Sequence, residues 1–178
     1  RVDRRQRQMC IRDSSKPKHI GKHKRGVKFS NAKMWKASWV DALDKWDSGE
    51  RTFRICKDSG RGMLITGTDL WKNYKVTSDI AIQRVKTGGL AARVQGLNRY
   101  YGLVISASNK LQLIKVINEP KVLKEIDFDL EYYNDYKLSL KVENNKLSGY
   151  LDNKVVLEFE DNSDAVSYTH LTLPTIYS

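Results

Sequence analysis

The chain has 178 residues, of which 40% are hydrophobic, and this is enough apolar material for one globular domain of ordinary size. Its formal net charge is +11 at pH 7, which at first suggests a nucleic-acid partner. The charge is confined to the start of the chain, because residues 1–36 hold 13 basic and two acidic residues, whereas residues 37–164 hold 19 of each. A groove that follows phosphates needs clustered lysine and arginine on the folded domain, so nucleic-acid binding is not expected.

Neither membrane insertion nor secretion is indicated by the sequence. No apolar run approaches the ~18–20 residues that a membrane span needs, and the charged N-terminus lacks the apolar segment of a signal peptide. Cys10 and Cys56 provide neither the spacing of a metal site nor a disulfide framework. We therefore predict a cytoplasmic protein with no membrane partner.

Both ends of the chain resemble translated sequencing-adapter sequence. Residues 1–14 and 165–178 are therefore predicted to be artefacts, and they carry no weight in the functional interpretation. Residues 15–33 are polar and cationic and have no apolar periodicity, so they are predicted to form a basic linker or arm. Residues 34–164 are predicted to form the folded domain.

Strand signals dominate the chain from residue 52 onward, and Gly, Ser, Asn and Asp separate many of the strands. Short strands at a spacing of about ten residues, without helices between them, are typical of an antiparallel sandwich or barrel. Residues 34–47, with three of the four tryptophans, suit either a short helix or a strand and a turn. The predicted strands are 53–57, 62–67, 73–82, 88–95, 100–106, 110–117, 121–128, 135–143, 146–152 and 154–160.

Residues 88–105 are predicted to form a β-hairpin at the centre of a sheet, because side chains alternate on both sides of a loop. A loop with an even number of residues places Gln95 opposite Tyr100, whereas an odd loop mixes polar residues into the apolar face. The even loop is therefore preferred. Its core face consists of Leu90, Ala92, Val94, Tyr101, Leu103 and Ile105. Its polar face consists of Ala91, Arg93, Gln95, Tyr100 and Gly102.

Five segments together resemble a known accessory domain: 39–46, 60–67, 71–76, 89–96 and 99–101. The chain resembles the β-sandwich domain that follows the catalytic domain in some bacterial ADP-ribosylglycohydrolase-family proteins, a member of the concanavalin A-like, LamG-like class. The resemblance implies an all-β, antiparallel jelly-roll sandwich. It also implies a further strand after the one at 154–160, so that the domain 34–164 would be truncated at its C-terminus. Whether the adapter-like tail takes the place of that strand is left open.

The polar face of the hairpin is the first candidate binding site. A four-residue connection over 106–109 places Tyr100 opposite Lys115, so that Arg93, Gln95, Tyr100 and Lys115 would lie together. Planar Arg and Gln donors beside an aromatic wall suit hydroxyl, carboxylate or phosphate groups. The alternative is a solvent-facing sheet whose polar groups bond to one another.

A second candidate is the acidic strand that contains Glu125, Asp127 and Asp129. It resembles the Glu-x-Asp-x-Glu strand of retaining glycoside hydrolases of the laminarinase and xyloglucanase type, although the third position here is Asp129. Alternation would put the three carboxylates on one face, and two carboxylates about 5 Å apart can act as nucleophile and acid/base. The alternative is an acidic face in contact with water.

The sequence therefore predicts a non-catalytic accessory domain that binds a carbohydrate or an ADP-ribose-like, nucleotide-sugar-like ligand, or that docks on its own upstream catalytic domain. The competing function is a small glycoside hydrolase that uses Glu125 and Asp129. A Ser-His or Cys-His nucleophile is excluded over residues 24–164, because this range contains no histidine. No cofactor is predicted, although Asp161 and Asp164 with Asp41 or Asp44 could supply oxygens to a structural calcium ion.

Overall fold

The computed structural model of the chain describes residues 8–12, 40–48, 52–67, 71–163 and 171–177. Every regular element within these residues is a β-strand, and the strands form two seven-stranded sheets whose neighbours pair antiparallel. The predicted antiparallel β-sandwich is therefore confirmed. The described residues contain no helix that could serve as a membrane span.

The strand order of each sheet follows from the pairing. The strands are β1 (Gln8–Arg12), β2 (Val40–Asp41), β3 (Lys45–Ser48), β4 (Thr52–Cys56), β5 (Arg61–Thr66), β6 (Tyr74–Ile82), β7 (Thr87–Ala92), β8 (Arg99–Ser106), β9 (Lys110–Ile117), β10 (Glu119–Asp127), β11 (Asp135–Glu143), β12 (Lys146–Leu151), β13 (Lys154–Glu160) and β14 (Leu171–Tyr177). Sheet A has the order β13-β12-β11-β6-β1-β4-β3. Sheet B has the order β10-β9-β8-β7-β14-β5-β2.

Tight turns rich in Asn and Asp explain why most strand boundaries follow from the sequence. Asn144 has a φ of 52° in the β11–β12 turn, and Asp152 and Asn153 have φ values of 49° and 66° in the β12–β13 turn. Asn and Asp enter this left-handed region more readily than most other residues. All ten predicted strands correspond to observed ones. The helical alternative for 34–47 is wrong where it can be compared, because β2 and β3 are strands; residues 34–39 and the arm 15–33 lie outside the described residues.

The core lies between the two sheets, where alternate side chains of each strand point towards the opposite sheet. Leu90 and Leu103 of sheet B and Leu138 and Leu140 of sheet A are fully buried in it. Strands β7 and β8 approach so closely that a Cβ atom on Gly89 would lie 2.0 Å from the backbone oxygen of Leu103. This position therefore requires glycine.

The hairpin formed by β7 and β8 differs from the prediction beyond Ala92. Ala92 pairs with Tyr101 and Leu90 with Leu103, so the predicted core face is present in this part of the hairpin. Arg93 then adopts a left-handed φ of 51°, and the regular pairing stops before it. The predicted pairing of Gln95 with Tyr100 is wrong, since the Gln95 N–H donates instead to the Arg99 carbonyl at 2.9 Å. The prediction assumed an extended backbone up to Gln95, and the left-handed backbone at Arg93 ends the alternation of side chains before that residue.

The face of sheet B that points away from sheet A carries a second apolar cluster. We call it the outer cluster; it consists of Met63, Ala91, Val94, Tyr100, Val104, Ile114 and Val116, all of them buried. Val94, predicted on the core face, belongs to this cluster, and Leu97 packs against it. The prediction of a polar, open face at this position is therefore wrong.

Two strands from the ends of the described chain occupy central positions. β14 pairs with β5 on one side and β7 on the other, and β1 lies in the same way between β4 and β6. β14 belongs to the predicted adapter-like tail, and it joins the two parts of sheet B by pairing with both β5 and β7. The adapter origin of the two ends stays a prediction.

Candidate functional site

Arg93, the first of the predicted binding residues, is held within the fold. Its backbone N–H donates to the Tyr74 hydroxyl at 2.6 Å, and its guanidinium donates to the Lys72 carbonyl at 3.1 Å. Burial raises the pKa of the Tyr74 hydroxyl, and the bond from Arg93 acts in the opposite direction. Arg93 therefore ties the end of β7 to the residues that lead into β6.

Gln95 and Tyr100 do not share a surface. Gln95 is exposed in the β7–β8 loop, whereas Tyr100 is fully buried in the outer cluster, where its hydroxyl has no hydrogen-bond partner among the residues that the structure describes. A ligand cannot reach the Tyr100 ring in this arrangement. The structure thus separates two residues that the sequence predicted to act together, and the binding role of the set stays a prediction.

Lys115 lies on the opposite side of sheet B from the predicted one. It pairs with Tyr101 rather than Tyr100, because the β8–β9 connection has three residues instead of four and contains Asn109 with a φ of 58°. Its ammonium group donates to the Asp161 carboxylate at 2.7 Å and to the Ser163 hydroxyl at 2.8 Å. The predicted cluster of Lys115 with Tyr100 is therefore wrong.

Asp161 is the centre of a buried polar group at this position. The Tyr101 hydroxyl donates to the same carboxylate oxygen as Lys115, at 2.7 Å, and Ser163 donates to the other oxygen. Burial alone would raise the pKa of Asp161, but the bonds from Lys115, Ser163 and Tyr101 outweigh it and lower the pKa from 3.8 to about 2. The carboxylate is thus ionised and closely surrounded by donors.

This polar group forms one wall of a cleft of about 480 Å³, the edge cleft, at the border between β9–β10 and the end of β13. Its other walls come from Ile117, Lys121 and residues 159–163. The charged groups in the wall already satisfy one another, since the Lys115 and Asp161 side chains are only 9% and 6% exposed. Lys115 and Asp161 therefore neutralise each other, and Glu119, Lys121 and Glu160 are the other charged residues of the lining.

The acidic strand gives the glycoside hydrolase alternative no support. Glu125 accepts a hydrogen bond from Gln112 at 2.8 Å, and Asp127 forms an ion pair with Lys110 at 2.6 Å. Asp129 lies beyond the end of β10 and is exposed. The bond from Lys110 lowers the pKa of the Asp127 carboxyl, in keeping with this ion pair.

The described residues likewise do not form the set of calcium ligands that the sequence predicted. Asp44 bonds to Lys57 and to the Asp58 N–H, and Asp161 is surrounded by the donors described above. Asp164 lies outside the described residues. Over the part of the chain that is described, no group of three His, Cys, Asp or Glu side chains could hold a metal ion.

A different site lies at the end of the sandwich formed by the β6–β7, β8–β9 and β10–β11 connections. Two consecutive tyrosines project there, Tyr132 with 49% and Tyr133 with 63% of its surface exposed. They border an open depression of about 470 Å³. We call it the tyrosine pocket; it is lined by Gln83, Arg84, Val85, Lys86, Ala107, Tyr132 and Tyr133.

The backbone around the tyrosine pocket is fixed by hydrogen bonds between its loops. Tyr133 has a φ of 70°, and its N–H donates to the Ile82 carbonyl at 2.9 Å. The Ala107 N–H donates to the Lys86 carbonyl at 2.7 Å. Leu130 is buried in the core just before the two tyrosines, so the exposed rings stand on an anchored loop.

Sequence reasoning did not select Tyr132, Tyr133 or Arg84. A signal was present, because two adjacent aromatic residues follow a strand in a polar stretch and share no alternating pattern with it. Arg84 gave no signal, since its position beside the tyrosines depends on two connections that are distant in sequence.

A family model described as the C-terminal lectin domain of galactocerebrosidase matches residues 49–170 of the chain. The chain belongs to this lectin-domain family. The matched segment runs from β4 to β13 and includes both the tyrosine pocket and the edge cleft, whereas β1 and β14 lie outside it. No curated protein matches the sequence.

One solved structure shows the same fold. The carbohydrate-binding module CBM66 from Bacillus subtilis superimposes with a TM-score of 0.68 at 18% sequence identity, covering 79% of this chain and 88% of that one. A functionally unknown protein from Saccharomyces cerevisiae has a TM-score of 0.44 at 13% identity, covering 79% of this chain and 85% of that one. At this level of identity the likeness to CBM66 concerns the fold alone.

Proposed function

We propose that the chain is a non-catalytic carbohydrate-binding domain and that the tyrosine pocket binds the saccharide. The observation that carries the proposal is the pair of exposed rings, Tyr132 and Tyr133, beside the planar side chains of Gln83 and Arg84. The C–H faces of a sugar pack against aromatic rings, and its hydroxyls need fixed donors and acceptors. The pocket offers both on one surface.

The backbone of Tyr133 supports the same assignment. A bulky residue with φ 70° is an outlier, and such a conformation costs on the order of 1–3 kcal/mol. Strain of this kind clusters at ligand sites, where the surrounding structure holds a side chain in a required position. Here the bond from the Tyr133 N–H to Ile82 holds the ring at the rim of the pocket.

Membership of a lectin-domain family and the shared fold with a carbohydrate-binding module support the class of ligand. The ion pairs and hydrogen bonds of Glu125 and Asp127 support a role without catalysis. The sequence resemblance adds a narrower proposal, that the domain serves a catalytic domain of the ADP-ribosylglycohydrolase type elsewhere in a longer protein.

A glycan array followed by calorimetric titration of the tightest ligand tests the proposal. Tyr132→Ala and Tyr133→Ala should each weaken binding about tenfold, because each removes a stacking surface worth more than ~1 kcal/mol. Trp71→Ala is the matched control, since Trp71 is 44% exposed but lies before β6, on the far side of that nine-residue strand from Gln83. Unchanged affinity in both tyrosine variants would refute the assignment.

A further inference from the structure

We infer that the saccharide bound by the tyrosine pocket carries a negative charge, as a carboxylate, sulfate or phosphate group. This inference rests on the proposed function. The side chains that line the pocket include two cations, Arg84 and Lys86, and no carboxylate. Both cations are exposed, and neither forms an ion pair with any part of the chain that is described.

The positive charge of the pocket does not reflect a basic surface over the whole folded domain. Residues 37–164 hold equal numbers of basic and acidic residues, so the pocket does not simply sample a basic surface. Several lysines elsewhere on the surface lie within 2.6–2.9 Å of a carboxylate: Lys57 with Asp44, Lys110 with Asp127, Lys141 with Glu143, and Lys146 with Glu158. The pocket thus combines two neighbouring cations that have no carboxylate partner among the described residues with two exposed aromatic rings.

The acidic residue next to the tyrosines does not neutralise the pocket. Glu131 precedes Tyr132 but is not part of the pocket lining. Its carboxylate accepts a hydrogen bond from the Asn134 amide at 3.2 Å, and its backbone N–H donates to the Tyr136 hydroxyl at 2.8 Å. The Glu131 carboxylate therefore bonds to Asn134 within its own loop, and Arg84 and Lys86 can bind an external anion.

The chemistry of the lining suits an anionic sugar. The planar guanidinium of Arg84 can donate two parallel hydrogen bonds to a carboxylate or sulfate, and Lys86 adds a point charge. Gln83 can bond to a ring hydroxyl, while Tyr132 and Tyr133 cover the apolar face of the sugar. A neutral sugar would use the rings but would leave both cations facing water.

The test compares neutral and anionic members of matched ligand pairs by calorimetry on the full chain. The pairs are galactan and polygalacturonate oligosaccharides, unsulfated and sulfated galactan oligosaccharides, and ribose and ribose 5-phosphate. In at least one pair the anionic member should bind about tenfold more tightly at low salt, as expected for a hydrogen bond to a charged group, and the preference should shrink at 0.5 M salt. The pair that shows the preference identifies the kind of anion.

Arg84→Gln should remove most of the preference, because it should weaken binding of the anionic member much more than binding of the neutral member. Arg99→Gln is the control, since Arg99 is also exposed but starts β8, at the end of the strand away from Ala107. Two results would overturn the inference and leave the proposed function intact. In the first, the neutral and anionic members of every pair bind with equal affinity. In the second, Arg84→Gln weakens the binding of the neutral and the anionic member equally. Binding that is insensitive to both Tyr132→Ala and Tyr133→Ala would overturn the proposed function itself.

Discussion

Asp161 shows at the scale of single residues how one carboxylate can join separate parts of the chain. It follows β13 in sheet A and accepts bonds from Lys115 and Tyr101 in sheet B. Its backbone N–H also donates to the Asn145 carbonyl at 2.9 Å. The buried bonds therefore fasten one edge of sheet A to sheet B.

Two adjacent tyrosines offer a matched test of this arrangement. Tyr101→Phe removes a hydrogen bond to the ionised Asp161 and should lower the free energy of unfolding by about 1.5–3 kcal/mol. Tyr100→Phe removes a buried hydroxyl that has no hydrogen-bond partner in the described part of the chain, so it should leave stability unchanged or raise it. Urea denaturation of both variants checks the prediction, and equal destabilisation would contradict it.

The pH dependence of stability provides a second test at Asp161. Its pKa is about 2 in the folded protein, below the ordinary value of 3.8, so its stabilising contribution is present above pH 3.8 and is lost as the pH falls towards 2. The difference in unfolding free energy between the parent and Asp161→Asn should therefore shrink by about 2 kcal/mol over that range. A difference that stays constant from pH 6 to pH 2 would exclude this role.

At the scale of elements, the sequence predicts the strand boundaries better than it predicts which side chains share a face of the sheet. Alternation and turn residues locate the boundaries, because both depend on neighbours in sequence. The left-handed backbone at Arg93 and the three-residue turn before Lys110 change which side chains meet, and neither is visible in an alternating pattern. The predicted site was lost for this reason, since a shift of one residue moves a side chain to the other face.

The outer cluster and the tyrosine pocket depend on contacts that the sequence does not reveal. The burial of Tyr100 reflects packing against β5 and β9, and Arg61 extends from β5 to the Asn98 side chain and the Asn118 carbonyl. Arg84 meets Tyr132 and Tyr133 only because two connections converge at one end of the sandwich. Local patterns could not predict either arrangement.

Arg93→Ala separates the binding role predicted for this residue from the structural role that it has. Loss of the bond to the Lys72 carbonyl should lower stability by about 1 kcal/mol, while affinity for the saccharide stays the same. Thermal denaturation and calorimetric titration of one variant measure both quantities. If Arg93→Ala weakened saccharide binding and left stability unchanged, the hairpin would be the binding site.

At the scale of the whole molecule, each sheet is completed by a strand from one end of the described chain. Without β14, sheet B would consist of a four-stranded and a two-stranded part, and the edges of β5 and β7 would be unpaired. Unpaired edges of this kind promote association between molecules. The integrity of the sandwich thus depends on a segment outside the family match.

Removal of residues 165–178 should therefore have a large effect. We expect the shortened chain to lose cooperative unfolding or to associate, because β5 and β7 lose their common neighbour. Circular dichroism during heating and sedimentation velocity measure the two outcomes. A monomer with the melting behaviour of the full chain would show that β14 is dispensable.

The saccharide should bind at the tyrosine pocket and not at the edge cleft or the hairpin. Amide chemical-shift mapping during titration with the tightest ligand from the array tests it most directly. We expect the shifts to concentrate at residues 83–86, Ala107 and residues 131–134, with Lys115 and Asp161 unaffected. Shifts concentrated at residues 115–123 and 159–163 would contradict it and assign the ligand to the edge cleft.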